Sequence, residues 1–203
     1  MLKTEPVFMP ANAGNNATVA VIGLGNPLLG DDALGLVALE RLSAYYDVPG
    51  TVSLHDGGTW GMSLLPVIED ATNVLFLDAI DRKEAPGTFI RLEGVEIPAT
   101  LAHMLSPHQI DLREVLAVTM LRGTFPRTAV AIGVQPETLA TQVALSGIVA
   151  AKVDEVVAAA VAQLQAWGHE CAPRDPAEAG MMRPAAANGG ISGVLCESVA
   201  CTS

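Results

Sequence analysis

The chain has 203 residues, half of them hydrophobic, which suffices for one domain with a sizeable core and not for two. The 11 Lys and Arg residues are outnumbered by 22 Asp and Glu residues, so the formal net charge is −11. A chain this acidic is repelled by phosphate backbones, and no basic cluster offsets the charge. Composition therefore excludes nucleic acid as a partner.

The two ends of the chain differ in composition from its middle. The first 17 residues lack an uninterrupted apolar stretch, so they are expected to form a flexible arm and not a signal peptide. After Pro173 the chain is rich in Ala, Gly, Pro, Ser and Asn, which predicts a flexible tail. We therefore expect an arm over residues 1–17, one α/β domain over 18–170 and a tail over 171–203.

Cysteine positions and hydropathy bear on the compartment. All three cysteines lie beyond residue 170, whereas a secreted disulfide framework would distribute them through the fold. This pattern predicts a reducing cytoplasm and a folded domain without a thiol, so a cysteine nucleophile is not expected. The longest apolar region, residues 144–166, is interrupted by Lys152, Asp154 and Glu155, so no membrane span is expected.

The first half of the chain alternates strand and helix patterns. Residues 20–24 are apolar and end at Gly25, which is typical of a buried strand in a parallel sheet. Asp31 or Asp32 is predicted to cap a helix over residues 33–46. A second strand is predicted over 51–55, followed by a turn at 56–58 and a helix over 62–70.

The second half continues the alternation. Residues 74–77 form the clearest buried strand, which ends on Asp78. The alternating segment 88–92 predicts an edge or antiparallel strand, and 94–107 a loop. A helix over 108–122, a strand over 129–134 and a helix over 145–167 are expected to follow. Strands that alternate with helices indicate an α/β sandwich with a mainly parallel sheet.

Acidic turns follow three of the predicted strands. In an open parallel sheet, ligands collect at the carboxyl ends of the strands, where the turns 23–32, 55–59 and 77–79 fall. A fourth polar group, residues 106–109, opens a helix with His108. Several carboxylates and one imidazole could thus converge on one cleft, and two aspartates with one histidine suit a borderline divalent ion such as nickel or zinc.

Structural interpretations of the same residues stand beside this one. Asp31 or Asp32 could simply cap a helix, Asp56 and Asp78 could be turn residues, and His108 could be an exposed first-turn residue. The chain has no Gly-x-Ser-x-Gly elbow, no His-Glu-x-x-His helix and no phosphate-binding Gly-rich loop ending in Lys-Ser/Thr. Spacing alone therefore predicts a polar cleft and no particular reaction.

Five segments in a fixed order resemble the hydrogenase maturation proteases, and the resemblance extends over about residues 19–167. They are Gly23-Leu24-Gly25-Asn26-Pro27-Leu28-Leu29-Gly30-Asp31-Asp32-Ala33-Leu34-Gly35, Asp56-Gly57-Gly58-Thr59-Trp60-Gly61, Asp78-Ala79-Ile80, Pro86-Gly87-Thr88 and Ser106-Pro107-His108-Gln109. The resemblance implies a three-layer sandwich, in which a twisted, mainly parallel sheet carries helices on both faces. It also implies an endopeptidase that removes a C-terminal extension from the immature large subunit of a [NiFe]-hydrogenase.

The resemblance further implies the site residues. The metal-contacting positions of the family fall on Asp32, Asp78 and His108, and Asp56 matches a further acid associated with cleavage. The expected catalytic residues are therefore Asp32, Asp78 and Asp56. Nickel is expected to arrive with the substrate, held by its thiolates, so that the three side chains complete its coordination.

The sequence departs from the family pattern at two positions, and two alternative functions remain open. Ala33 replaces a common glycine, and His55 stands where an apolar residue is usual and could change the pH behaviour of Asp56. One alternative is a nickel metallochaperone without protease activity, which binds the metal through the same three side chains. The other is a small-molecule hydrolase or transferase on a similar sheet.

Overall fold

The computed structural model describes residues 17–59, 61–94, 96–97 and 112–174. Its strands are β1 (Val19–Leu24), β2 (Tyr46–Asp47), β3 (Val52–Gly58), β4 (Asn73–Ala79), β5 (Phe89–Glu93), β6 (Thr128–Val134) and β7 (Ala172–Pro173). Its helices are α1 (Leu34–Tyr45), α2 (Leu65–Asp70), α3 (Leu112–Arg122), α4 (Gly147–Ala150) and α5 (Val153–Ala166). Single 3₁₀ turns, Gly30–Ala33 and Gly61–Leu64, precede α1 and α2.

Among the described residues, the main sheet has five strands in the order β3-β1-β4-β6-β5. Strands β3, β1, β4 and β6 are parallel, and β5 is antiparallel to β6 at one edge. The mainly parallel sheet and the antiparallel edge strand expected from the sequence are thus confirmed. Strand β1 is buried along its whole length, as its uninterrupted apolar run predicts.

Helices cover both faces of this sheet, so the three-layer sandwich is confirmed. One core cluster lies under α1 and α5 and includes Val21, Leu75, Ile132, Leu34, Leu42, Val156 and Leu164. The other lies under α2 and α3 and includes Ile22, Phe76, Ala131, Ile68, Val115 and Leu116. Burying one large apolar side chain contributes about 1.5–3 kcal/mol, so alternate residues of β1 and β4 stabilise opposite layers.

Three predicted boundaries are corrected by the structure. Asp56, Gly57 and Gly58 lie inside β3 and not in a turn, since Asp56 pairs with Gly23 of β1 and, after a shift in register, Gly58 pairs with Leu24. The helix expected over 145–167 is divided into α4 and α5, with the break at Ala151 and Lys152. The helix expected over 62–70 begins as a 3₁₀ turn.

The folded part continues past the expected boundary at residue 170. After Gly168, at φ 87°, the chain turns back and β7 pairs with β2. Cys171 is 3% exposed and belongs to the core cluster under α1 and α5. The expectation that no thiol lies in the folded domain is therefore wrong, because the apolar thiol is buried as the chain returns along Tyr46.

The described helices are all unsuited to crossing a membrane, since none combines the necessary length with sufficient hydropathy.

Candidate active site

The loop that follows β1 curls back on itself and brings Asp32 to its own starting point. Asn26 donates its backbone N–H to Asp32 Oδ2 at 2.8 Å, and its side-chain oxygen accepts from the N–H of Leu28 at 3.0 Å. The backbone N–H of Asp32 donates to Leu29 O at 3.2 Å, which closes the 3₁₀ turn. Asp32 is 5% exposed, so its carboxylate is fixed in a largely dry place.

Two glycines allow the close approach that this loop requires. Gly25 has φ 121°, and a Cβ there would lie 1.7 Å from the carbonyl oxygen of Asp32. A Cβ on Gly35 would lie 2.1 Å from the carbonyl oxygen of Leu77. Glycine at both positions lets the start of α1 lie directly on the ends of β1 and β4. This packing places Asp32 near Asp78, the residue after Leu77.

Asp78 lies in β4, beside Gly133 of β6 and one residue before the strand ends. Its Oδ1 accepts a hydrogen bond from the N–H of Ala79 at 2.8 Å. Burial raises the pKa of Asp78 well above its ordinary value, and the negative charge of Asp32 raises it further. Burial also raises the pKa of Asp32, although the hydrogen bond from Asn26 opposes that shift.

Asp32 and Asp78 thus form a pair of carboxyl groups without a salt-bridge partner among the described residues. Within the described ranges, no Lys, Arg or His forms a salt bridge with either of them. The same residues contain no group of three His, Cys, Asp or Glu side chains that could hold a metal ion.

Asp31, the neighbour of Asp32, has a different environment. Asp31 is 0% exposed, and its carboxylate accepts hydrogen bonds from three backbone N–H groups in the segment 137–146. The predicted capping role is wrong for both acids, since Ala33 is the N-cap of α1 and no side chain caps it. Both carboxylates are bound to backbone groups outside the helix.

Asp56 is exposed on the edge strand β3, where it pairs with Gly23. The alternation of β3 directs Leu54 and Asp56 to the face that carries α1, whereas the alternation of β4 directs Asp78 to the other face. The structure therefore brings Asp32 and Asp78 together, and it sets Asp56 apart from Asp78.

His55 has its own partner. Its Nε2 lies 2.8 Å from Ser53 Oγ, and burial lowers its pKa. Because successive residues of a strand point to opposite faces, His55 and Asp56 are directed apart. The expected influence of His55 on Asp56 has no contact to support it. The other predicted residue, His108, lies outside the described residues together with its neighbours Ser106, Pro107 and Gln109.

Gln135, directly after β6, is a buried polar residue that sequence reasoning missed. It is 6% exposed, its Oε1 accepts from the N–H groups of Arg82 and Glu84, and its Nε2 donates to Asp81 Oδ1 at 2.9 Å. Bonds from Lys83 and Gln135 lower the pKa of Asp81 to about 2. Gln135 thereby helps to shape a groove lined by Asp81, Lys83, Glu84, Gln135, Pro136, Glu137, Thr138 and Leu139. Its position directly after a buried strand was the available signal.

The fold and site define an α/β sandwich protein whose candidate centre is a pair of carboxyl groups, buried Asp32 and half-buried Asp78, at the carboxyl ends of parallel strands. A family model described as "HycI: Hydrogenase maturation protease" matches residues 37–163. The chain is 37% identical over 158 residues to the Hydrogenase 2 maturation protease of Escherichia coli (strain K12), covering 77% of this chain and 96% of that protein. It is 36% identical over 167 residues to the hydrogenase expression/formation protein HupD of Rhodobacter capsulatus. That match covers 81% of this chain and 77% of HupD.

Solved structures agree with the sequence relatives. The hydrogenase maturating endopeptidase HybD from E. coli superposes with a TM-score of 0.73 at 37% identity, over 77% of this chain and 98% of that one. The chain belongs to the hydrogenase maturation protease family. The family resemblance and the prediction of a hydrolase of the endopeptidase class are confirmed.

Proposed function

We propose that this endopeptidase removes the C-terminal extension of an immature [NiFe]-hydrogenase large subunit after nickel has been inserted. The names of its relatives, a hydrogenase 2 maturation protease and a hydrogenase expression/formation protein, support a hydrogenase precursor as substrate. Endopeptidase relatives argue against both a metallochaperone without protease activity and a small-molecule hydrolase. The predicted reducing cytoplasm is the proposed compartment.

The electrostatics of Asp32 and Asp78 carry this proposal. Burial raises the pKa of both carboxyl groups, and the charge of Asp32 raises that of Asp78 further, so a nearby cation that favours the ionised form of both is most favourable here. Carboxylate oxygens and imidazole are suitable donors for nickel, and His108 is the predicted third donor. Nickel is here part of the substrate, whose thiolates hold it and leave positions open for these side chains.

Substrate-held nickel would also provide the selectivity. Precursor without nickel offers no cation to Asp32 and Asp78, so docking would leave two buried carboxyl groups uncompensated. Nickel-loaded precursor would gain binding energy at the same place. The enzyme would then cut only after metal insertion, which is the order that maturation requires.

A carboxylate of the same pair is the proposed proton acceptor during cleavage. A carboxylate can take the proton of an attacking water only in its ionised form, which the nickel of the substrate favours at this pair. Asp56, exposed on the edge strand, is proposed to contact the substrate chain beside the cut. Cys171 is buried, and it lies near the amino ends of the strands. Its neighbour His169 forms a hydrogen bond with Thr51, the residue before β3. This location argues against a thiol nucleophile.

The test is cleavage of the precursor by Asp32→Asn and Asp78→Asn, measured as the mass of the large subunit. Loss of a positioned acid–base group lowers a rate by about 10²–10⁴-fold, and we expect a loss of this size with nickel-loaded precursor. Asp70→Asn is the matched control, since Asp70 is an exposed acid before the amino end of β4. Wild-type rates in both site variants would overturn the proposal.

A further inference from the structure

Asp31 has a fully buried carboxylate whose hydrogen bonds all reach a distant part of the chain. Oδ2 accepts from the backbone N–H groups of Glu137 at 2.8 Å and Thr138 at 3.0 Å, and Oδ1 accepts from that of Ser146 at 2.7 Å. Hydrogen bonds to an ionised acceptor are about twice as strong as neutral ones. With both oxygens bound to backbone, Asp31 is poorly placed to contact a substrate.

Backbone hydrogen bonds join the same two loops around Asp31. Gly30 donates its N–H to Gln142 O at 2.8 Å, and Asp31 donates its N–H to Thr138 O at 3.1 Å. In the opposite direction, Gln142 donates its N–H to Leu28 O at 3.0 Å. The loop after β1, residues 25–32, is thus attached to the loop after β6, residues 135–146, and the carboxylate of Asp31 is the side-chain anchor between them.

Asp32 depends on this anchor because it lies in the same 3₁₀ turn, Gly30–Ala33. On one side its carboxylate is held by the N–H of Asn26, and on the other its backbone is held through Asp31. A 3₁₀ turn of four residues has little internal stability, so its orientation depends on such external bonds. Releasing Asp31 would let the turn rotate and move the carboxylate of Asp32 relative to Asp78.

We propose that Asp31 is a positioning residue, whose buried carboxylate fixes the loop after β1 to the loop after β6 and so sets the place of the Asp32 carboxylate. The inference rests on the proposed function for the role of Asp32. It assigns different tasks to two adjacent acids, since Asp31 holds the loop and Asp32 faces the substrate.

Asp31→Asn tests the proposal against a purely structural role. The amide keeps the size of the side chain but cannot accept all three hydrogen bonds. Asn73→Ala is the matched control, because Asn73 is a buried polar residue that accepts a hydrogen bond from Thr128 at the amino end of the sheet. Both variants should lower the melting temperature.

Only Asp31→Asn should lower kcat on nickel-loaded precursor, by about 10²-fold, as expected for a misplacement of roughly 1 Å. In hydrogen-exchange measurements on the free enzyme, the N–H of Asn26 should also exchange faster in Asp31→Asn and stay protected in Asn73→Ala. Exchange and kcat that respond equally in the two variants would overturn the positioning role.

Ser146 provides a second route if Asp31→Asn fails to fold. Ser146 has φ −59°, which suits proline, so Ser146→Pro removes one N–H donor to Asp31. Ser146→Ala keeps that N–H and loses only the hydroxyl that caps α4. We expect faster exchange at Asn26 and lower kcat in Ser146→Pro alone, and identical behaviour of the two variants would contradict the proposal.

The proposed function and the positioning role can fail separately. Full activity of Asp32→Asn would overturn the role of Asp32, whatever Asp31→Asn does. An inactive Asp32→Asn together with an Asp31→Asn variant that behaves like Asn73→Ala would overturn the positioning role alone.

Discussion

The negative charge of Asp32 raises the pKa of Asp78, although the two acids belong to different strand-end segments. The close packing of Gly25 and Gly35 against the strand ends brings these segments together. Because burial raises the pKa of each carboxyl group as well, the fold holds two acids in a place that disfavours their ionised forms. Such an arrangement costs stability and is typical of functional sites.

Replacing Asp78 should therefore stabilise the protein while it impairs cleavage. The folded-state pKa of Asp78 is raised above its unfolded value, so its favourable contribution is complete below the unfolded pKa and is lost as pH rises through the folded pKa. The asparagine of Asp78→Asn does not ionise, so the variant lacks this pH-dependent contribution. The free energy of unfolding of the variant should exceed that of the wild type by a margin that grows with pH, measured by urea denaturation between pH 5 and pH 8.

Asp70→Asn controls for the loss of one negative charge from an acidic chain, because Asp70 is exposed and remote from the site. Its difference from wild type should be small and nearly independent of pH. A pH-independent or destabilising effect of Asp78→Asn would show that Asp78 is not held in an unfavourable ionisation state.

Gly25→Ala should destabilise the loop after β1. The backbone of Gly25 has φ 121°, and the new Cβ would lie 1.7 Å from the carbonyl oxygen of Asp32. A residue forced into such a conformation costs about 1–3 kcal/mol, before any steric clash is added. Denaturant unfolding should show at least this loss, together with reduced cleavage.

Gly50→Ala is the matched control for that substitution. A Cβ on Gly50 has no atom within 4 Å, and the backbone does not have positive φ. Its free energy of unfolding should stay within about 1 kcal/mol of wild type. Equal effects of Gly25→Ala and Gly50→Ala would contradict the close approach at Asp32.

The position of a truncation should decide its effect on stability. Removing residues 171–203 deletes buried Cys171, the β2–β7 pair and the salt bridge between Arg174 and Asp47 at 2.6 Å. We expect a loss of about 1–3 kcal/mol, mostly from the buried thiol and the strand pair, since an exposed salt bridge contributes little. Removing only residues 175–203, which have few large apolar side chains, should leave the free energy of unfolding nearly unchanged. A large loss from the shorter truncation would overturn this boundary.

Much of the fold was predictable from the sequence because its signals are local. The uninterrupted apolar run of β1 and the alternation in β5 predicted a buried parallel strand and an antiparallel edge strand. The predicted domain boundary at residue 170 was wrong. Burial of Cys171 depends on contacts with the core cluster under α1 and α5, and composition does not encode those contacts.

The candidate site also has features that the sequence predicted and features that it did not. The acids at strand ends predicted a polar cleft, since the carboxyl ends of parallel strands meet at one edge, and the resemblance selected Asp32 and Asp78 within it. The separate task of Asp31 could not be predicted, because its three donors lie in residues 137–146, beyond the reach of a local capping rule. The opposite directions of Asp56 and Asp78 follow from the register of β3 and β4, which only pairing defines.

Treating the enzyme with a chelator should leave its activity intact, whereas withholding nickel from the precursor should stop cleavage. Asp32 and Asp78 offer carboxylate oxygens, and the predicted third donor, His108, adds one imidazole. Three such donors without a thiolate hold a divalent ion weakly, so tight coordination needs the thiolates of the substrate. The enzyme is incubated with chelator and desalted, and its metal content is measured beside the cleavage of nickel-loaded and nickel-free precursor. Stoichiometric metal that survives chelation, or equal cleavage of the two precursor forms, would show that nickel is not recognised as part of the substrate.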